Sequence, residues 1–346
     1  MRHFGRRMAH WLVAAALLLP GLIHAQAVPG QTGAEGTHEV QLGADTFSRG
    51  DAVPAWVQRL GLPPTRRRNP VVTRLADTQF RVAQAHEVYI ERALQVNDTA
   101  SLSRIGQYPI QFFPEYQKLR LHEVLILRGA QALDRTASAS IRFLQREVGL
   151  ESGMYSGAVT ASLLIDDVRA GDTLRIAYSL DGSNPVFGGT YFDAAAWDSD
   201  EPIELRRAVL IYPENRPIQW RTVGDFRQRP VQPEVSSVDG MRTLRFEEHA
   251  LDSLDPEPNI ADSFVAWRYL QFSEYADWSQ VARWAETLFP PRPVLPAEAQ
   301  GLLQQLRALP RAQDRVLAAL QWVQSEIRYF SVSMGESGSR ILFSAC

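Results

Sequence analysis

Short segments in which hydrophobic and polar residues alternate occupy the chain from about residue 80 to residue 270. Each segment ends at turn-forming residues, and together they predict strands at 86–96, 119–127, 159–165, 173–180, 208–212, 243–246 and 265–269. In the first segment Val88, Ile90, Leu94 and Val96 fall on one face, which predicts a half-buried strand. Many strands with polar turns and no helices between them predict a mainly β fold, an antiparallel β-sandwich.

The hydrophobic period changes from two residues to between three and four near Ser273. Asp277 is a suitable N-cap, and apolar residues then recur at helical spacing as far as Pro290. A second short helix is predicted at 302–309. A third has an apolar stripe formed by Val316, Leu320, Val323 and Ile327, and a short strand follows at 329–332. The last quarter of the chain is therefore expected to differ in architecture from the sandwich.

The first 27 residues have the pattern of a secretory signal peptide. Three arginines precede an apolar run at 11–19, and Ala25 and Ala27 supply the small residues of a cleavage site. The run is shorter than the roughly 20 residues of a spanning helix, so no stable membrane anchor is expected after cleavage near Ala27. We therefore expect a periplasmic or secreted protein. Residues 28–64 show no sustained period and are interpreted as a linker and a loosely packed lead-in segment.

Composition and charge narrow the class of protein. The 346 residues are 45% hydrophobic and 22% charged, which is ordinary for a globular protein. The net charge of −3, with no basic block beyond residues 66–68, argues against a nucleic-acid partner. Cys346 is the only cysteine, so no internal disulfide is available.

Three segments in order carry a family resemblance: 155–160 (Tyr-Ser-Gly-Ala-Val-Thr), 165–172 (Ile-Asp-Asp-Val-Arg-Ala-Gly-Asp) and 183–189 (Ser-Asn-Pro-Val-Phe-Gly-Gly). They resemble the domain of unknown function 3857 (DUF3857) of exported bacterial proteins. Residues 277–284 are similar to the junction that follows this domain. Residues 313–335 are similar to the opening helix and strand of a transglutaminase-like domain of the papain-type cysteine-protease fold. The resemblance implies a DUF3857-like sandwich at 65–275 and the start of a transglutaminase-like α+β domain at 276–346.

In that family the catalytic residues would be a cysteine in a Gly-Asp-Cys-Lys segment, a histidine and an aspartate. The thiolate attacks an amide carbonyl, the imidazole activates the thiol, and the carboxylate orients the imidazole. Cys346 has neither the preceding Gly-Asp nor a following helix, and no histidine lies beyond His249. We interpret Cys346 as an incidental tail residue, with a pairing to an upstream histidine such as His249 as the alternative. The chain is therefore expected to be truncated before the catalytic cysteine and not to be an enzyme as given.

The other candidate metal-binding and catalytic residues favour structural roles. Asp166, Asp167 and Asp172 suit calcium by chemistry, but aspartates in turns more often bond their own backbone. The acidic segment 198–201 is typical of a solvated loop. The isolated histidines lack zinc-ligand spacing, and 149–153 and 335–338 fail the G-x-S-x-G pattern of hydrolases; these histidines are His86, His122 and His249.

The aromatic residues near the predicted junction are expected to fill the seam between sandwich and helices, with ligand stacking as the alternative; they are Trp267, Tyr269, Trp278 and Trp284. No catalytic, cofactor-binding or metal-binding residue and no cofactor is predicted.

Two functions remain open at this stage. The first is an exported, non-catalytic β-sandwich interaction module whose partner is a peptide, a cell-envelope protein or a second domain. The second is the N-terminal part of a transglutaminase-like cysteine protease or amide-transfer enzyme whose triad would lie beyond the chain end. A sandwich edge can also accept a strand from a partner.

Overall fold

The computed structural model describes residues 37–146, 154–155, 157–224, 231–257, 265–288, 297–332 and 342–345. The predicted signal peptide, its cleavage site at Ala27 and the terminal Cys346 lie outside the described residues. None of the helices in the described part of the chain combines the length and apolarity needed to cross a bilayer.

The largest sheet has nine strands. In spatial order they are β15 (Glu234–Val238), β16 (Met241–Leu251), β13 (Ile203–Pro213), β3 (Val71–Val82), β4 (His86–Val96), β11 (Thr173–Asp181), β6 (Lys118–Arg128) and β2 (Phe47–Arg49), with β7 (Gln131–Asp134) also paired to β6. All pairings are antiparallel except β13 with β3 and β2 with β6, which are parallel. The antiparallel sandwich predicted from the sequence is therefore confirmed as a mainly β fold, with a mixed large sheet.

Three smaller sheets accompany the large one. One contains β1 (Thr37–Glu39), β8 (Ser140–Arg146), β10 (Val159–Leu164) and β5 (Gln107–Phe112); the second contains β12 (Phe192–Ala196), β17 (Tyr269–Ser273) and β14 (Gln219–Val223); the third contains β19 (Leu342–Ala345), β18 (Ile327–Val332) and β9 (Met154–Tyr155). The helices are α1 (Leu102–Ile105), α2 (Trp278–Thr287), α3 (Ala297–Ala308) and α4 (Ala312–Glu326). The helices longer than one turn fall near the C-terminus, as predicted.

Two hydrophobic cores join the large sheet to the smaller ones. One core contains residues of β3, β13 and β16 together with residues of β12 and β17, and its largest members are Trp197, Phe80, Phe246 and Phe272. The other contains residues of β4, β6 and β11 together with residues of β5 and β10; Phe112, Leu121, Leu163 and Ile176 are examples. The first and second of the smaller sheets therefore each cover one half of the same face of the large sheet, in agreement with the alternation of the strands.

The opposite face of the large sheet is also buried. Tyr89, Glu91 and Ala93 alternate with the apolar residues of β4 and are fully buried. Leu60 and Leu62 pack against a small cluster on this face. The prediction of a half-buried β4 is therefore wrong, because residues that precede β3 cover its second face.

Two predicted strands differ in position from those observed. The segment 265–269 was predicted to be a strand, whereas the observed strand β17 begins at Tyr269 and buries Leu270 and Phe272 between β12 and β14. The predicted short strand 243–246 is the centre of the longer β16. Its exposed half breaks the apolar alternation, which hides its true length from sequence inspection.

Candidate functional site

Helix α4 presents an exposed apolar face. Four of its side chains are between 42% and 68% exposed, namely Val316, Leu317, Leu320 and Val323. With Ala312 and Gln313, the first three line a shallow cleft of about 380 Å³. Large aliphatic side chains grouped on one helix face are the composition of a surface that another protein segment covers. We call this set of residues the α4 face.

An ion pair lies at the start of α4, and two other elements adjoin the helix. Arg311 donates to both carboxylate oxygens of Asp314, each at 2.8 Å, and Asp314 lies in the first turn where a negative charge favours the helix. Helix α3 contacts α4, and β18 follows α4 directly. The α4 face is open to solvent beside these neighbours.

Helix α2 packs against the sandwich through an aromatic contact. The indole N–H of Trp284 donates to the carbonyl of Val186 at 3.1 Å, and the ring stacks on Phe187 with centroids 5.0 Å apart. Phe187 also meets Phe192 edge-on at 4.5 Å. The turn at 183–189, one of the segments that carry the family resemblance, therefore anchors α2 to the sandwich.

Local hydrogen bonds explain the shape of both partners in this contact. Asn184 accepts from the N–H of Val186, and Gly188 adopts a positive φ of 58°, which favours glycine. At the helix, Asp277 accepts from the N–H of Gln280 as an N-cap, as predicted. The expected aromatic seam thus contains Trp284, whereas Trp278 is 59% exposed and belongs to the surface.

Charged residues lie beside this junction. Arg216 pairs with Glu274, which also accepts from the N–H of Tyr191 at 2.6 Å. The ring of His86 packs edge-on against Tyr191, and burial lowers the pKa of His86. Burial raises the pKa of Asp193 to about 7. The junction therefore contains two titratable groups whose pKa values burial shifts in opposite directions.

A layer of buried charges lies on the second face of the large sheet. Arg207 donates to both carboxylate oxygens of Asp77, at 2.8 and 2.7 Å, and both side chains are at most 1% exposed. Glu91, also fully buried, accepts from Arg175 and from the Tyr89 hydroxyl. These residues, with Gln79, form what we call the buried ionic layer.

Residues 51–67 cover this layer without forming a strand, and the sheet side chains bond their backbone. The side chain of Gln79 accepts from the N–H of Gln58 at 3.0 Å and donates to its carbonyl at 2.9 Å. Arg207 donates to the same carbonyl, and Arg74 donates to the carbonyl of Pro63. The segment expected to be loosely packed is therefore tied to the sheet up to Pro63. In the sequence, the signal for this contact between the large sheet and residues 51–67 is the presence of charged residues within otherwise apolar strands.

A serine and a histidine form a buried pair that sequence reasoning missed. His122 Nε2 lies 2.8 Å from Ser179 Oγ, and His122 Nδ1 lies 2.9 Å from the carbonyl of Asp51. If Nδ1 donates to that carbonyl, Nε2 accepts from the serine, as in a nucleophile–base pair. Ser179 is fully buried in the middle of β11, however, and burial lowers the pKa of His122. We interpret the pair as a structural link between β6, β11 and the covering segment.

The aspartates considered as calcium ligands are paired with arginines. Asp172 accepts from Arg128 at 3.0 and 2.8 Å, and this contact lowers the pKa of Asp172. Asp167 contacts Arg128, Arg135 and Arg169. Arginine side chains occupy the place that a calcium ion would take. Asp167 and Asp172 are therefore explained as structural residues of a turn, as the sequence analysis favoured.

The remaining candidates are dispersed. Asp198 is only 9% exposed and accepts from Arg268, so the expectation of a solvated loop is wrong for this residue. His249 is 65% exposed and its Nε2 lies 3.4 Å from Glu247. Across the described ranges, no group of three or more His, Cys, Asp and Glu side chains is arranged to hold a metal ion.

Two comparisons with known proteins find a similar fold and a matching family. In fold, the chain is similar to a crystal structure from Parabacteroides distasonis named a "putative protease", with a TM-score of 0.63, 13% identity and coverage of 79% of this chain. The chain spans 54% of that protein's length. No curated protein matches. Residues 83–254 match the family described as "Domain of Unknown Function with solved-structure structure (DUF3857)". This chain therefore contains a DUF3857 domain.

Proposed function

We propose that this protein is an exported, non-catalytic β-sandwich interaction module whose α4 face binds another protein. The observation that carries the proposal is the exposure of Val316, Leu317 and Leu320 on one side of one helix. Fully burying an exposed side chain of this kind is worth roughly 1.5–3 kcal/mol, and these three are between 50% and 68% exposed, so a partner that covers all three gains about half of that value for each.

The partner that we propose is a transglutaminase-like domain. Three observations support this choice: residues 313–335 resemble the start of such a domain, the structural neighbour is named a "putative protease", and this chain spans 54% of the neighbour's length. The α4 face would then meet the apolar interior side of that domain. Export rests on the signal-peptide pattern of the first 27 residues, which cell fractionation of a tagged chain tests directly.

Site-specific photo-crosslinking in cells tests the partner. A photoreactive residue replaces Leu317 on the α4 face, and the matched control replaces Gln131, an exposed residue of β7 on the sandwich. We expect Leu317, and not Gln131, to crosslink a polypeptide that contains a transglutaminase-like sequence, identified by mass spectrometry. Crosslinks to unrelated proteins, to a second copy, or to nothing would overturn the proposal.

A second candidate function is the N-terminal part of a transglutaminase-like cysteine protease or amide-transfer enzyme. It is favoured by the same resemblance of residues 313–335. Nucleotide sequencing downstream of the Arg340 codon discriminates the two: this candidate requires an encoded Gly-Asp-Cys-Lys segment followed by a histidine and an aspartate. Their absence from every reading frame would exclude it and leave the interaction module.

A further inference from the structure

The nine-stranded sheet ends in an open strand. Strand β15 lies at one edge, pairs only with β16 among the described strands, and all five of its residues are exposed. Val235 is 61% exposed and Val238 is 67% exposed. At the other edge the sheet ends in β2 and β7, which have three and four residues. Only the β15 edge therefore offers a run long enough to pair with another chain.

Strand β15 has little of the protection that is usual at a sheet edge, since its one charged residue, Glu234, lies at its first position. It contains no lysine, no proline and no bulge, and its register with β16 is regular from Glu234 to Val238. Asp239 and Gly240 both have positive φ, at 51° and 72°, which is typical of the tight two-residue hairpin turn. The turn fixes β15 in an extended conformation, so a partner strand would lose little affinity to ordering of the site.

The hairpin also decides which backbone groups face outward. In a two-residue hairpin the residues that flank the turn, here Val238 and Met241, exchange hydrogen bonds, and the pattern alternates along the strand. Glu234, Ser236 and Val238 therefore point their N–H and C=O groups towards β16. Val235 and Ser237 present theirs to the open edge.

The side chains beside these groups favour a particular peptide. Val235 lies opposite the buried Leu244, so its side chain is on the face of the sheet that carries the hydrophobic core. Ser237 lies opposite Arg242, which is exposed. Because the serine is small, the long arginine side chain can extend across it towards a strand paired with β15. The edge therefore presents one apolar and one cationic position, two residues apart on the same face.

We propose that β15 is a docking site for an extended peptide segment of a partner protein, which adds a tenth strand with an apolar residue facing Val235 and an acidic residue facing Arg242. A second copy of this chain fits less well, because edge-to-edge pairing would join two nine-stranded sheets, and twisted open sheets rarely exceed about ten strands. The site is separate from the α4 face, so failure of the α4 crosslinking experiment leaves it standing.

Fluorescence anisotropy with a labelled probe peptide, Asp-Thr-Val-Thr-Asp, and the full chain tests the site. The probe reads the same in both directions, so it fits parallel and antiparallel pairing. We expect saturable binding that Ser237→Pro weakens by about tenfold or more, because proline removes an outward N–H but no bond to β16. Ser237→Thr, the matched control, keeps the N–H and is expected to bind as the wild type does. Equal binding by both variants would overturn the proposal.

Charge recognition is tested separately. Replacing both aspartates of the probe by asparagine is expected to weaken binding to the wild type but not to Arg242→Glu. Equal affinities for the two probes in the wild type would refute the assigned partner chemistry. Sedimentation velocity covers the remaining outcome: a wild-type dimer that Ser237→Pro converts to a monomer, without probe binding, would assign the edge to self-association and overturn the peptide site.

Discussion

The β-sandwich buries charged side chains, whereas the C-terminal helix α4 exposes apolar ones. In the sandwich, charged side chains such as Asp77 and Arg207 are enclosed between the large sheet and residues 51–67. In α4, aliphatic side chains such as Val316 and Leu317 are more than half exposed. A buried charge is tolerated only when it is fully paired, whereas an exposed apolar face is stable in a protein mainly when something covers it. The sandwich therefore has the properties of a finished unit, and the helices those of a surface prepared for a partner.

The largest expected effect comes from breaking the buried ionic layer. Asp77→Ala leaves the guanidinium of Arg207 buried without its carboxylate, and we expect a loss of about 3–5 kcal/mol in the free energy of unfolding, measured by urea denaturation. The control is Glu39→Ala, which breaks the exposed pair with Arg142 and is expected to leave the urea midpoint unchanged.

The same measurement can separate the cost of an unpaired buried charge from the net contribution of the ion pair to stability. The double variant Asp77→Leu with Arg207→Met replaces the pair by apolar side chains and is expected to recover most of the lost stability, because no unpaired charge remains. If Asp77→Ala is no more costly than Glu39→Ala, the layer is not enclosed as described.

Truncating one leucine in each region compares the two directly. Leu163 is fully buried in the sandwich and Leu320 is 50% exposed on α4. Leu163→Ala is expected to cost about 2–5 kcal/mol, because it leaves a cavity and removes buried contacts. Leu320→Ala leaves no cavity and is expected to shift the urea midpoint little. Similar losses at the two positions would mean that the α4 face is covered in solution.

Detaching residues 51–67 from the sheet is expected to lower the free energy of unfolding by a smaller amount. Gln79→Ala removes both bonds to the backbone of Gln58 and leaves that N–H with no partner from the sheet. We expect a cost of about 1–3 kcal/mol and faster hydrogen exchange at the Gln58 amide than in the wild type. Gln131→Ala, on the exposed strand β7, is the control and should change neither quantity. Unchanged exchange at Gln58 would show that the remaining contacts hold the segment alone.

The elements with one regular apolar face were predictable from the sequence. The alternation of Leu174, Ile176 and Leu180 identified β11, and the helical spacing after Asp277 identified α2. The position of β17 was missed because alternation continues through both 265–269 and Tyr269–Ser273, and only pairing with β12 and β14 selects the second.

The buried ionic layer was not predictable from the sequence of the segment that covers it. Residues 51–67 form no strand ladder, and the sheet bonds their backbone carbonyls, including those of Gln58 and Pro63, which every residue type possesses. The periodicity rules concern side chains, so the part of the contact that is made to main-chain atoms leaves no pattern in the covering segment itself. The α4 face, by contrast, was visible as a stripe, because its information lies in its own side chains.

The pH dependence at the junction between the two regions comes from two groups that act in opposite directions. Burial lowers the pKa of His86, so its contribution to stability is present above the unfolded value of 6.5 and is lost as the pH falls towards the lowered folded value. Burial raises the pKa of Asp193 from 3.8 to about 7, so its contribution is present at acidic pH and is lost as the pH rises towards 7.

Substituting each group should therefore change the pH profile with opposite sign. We expect Asp193→Asn to stabilise the protein more at pH 8 than at pH 5, and His86→Gln to reduce the loss of stability on acidification, both measured as urea midpoints across this range. Because the two groups act with opposite sign, the urea midpoint of the wild type should rise less with pH than that of Asp193→Asn. Parallel profiles for the wild type and both variants would mean that neither group is buried in the folded state. The junction would then be open to water like the α4 face.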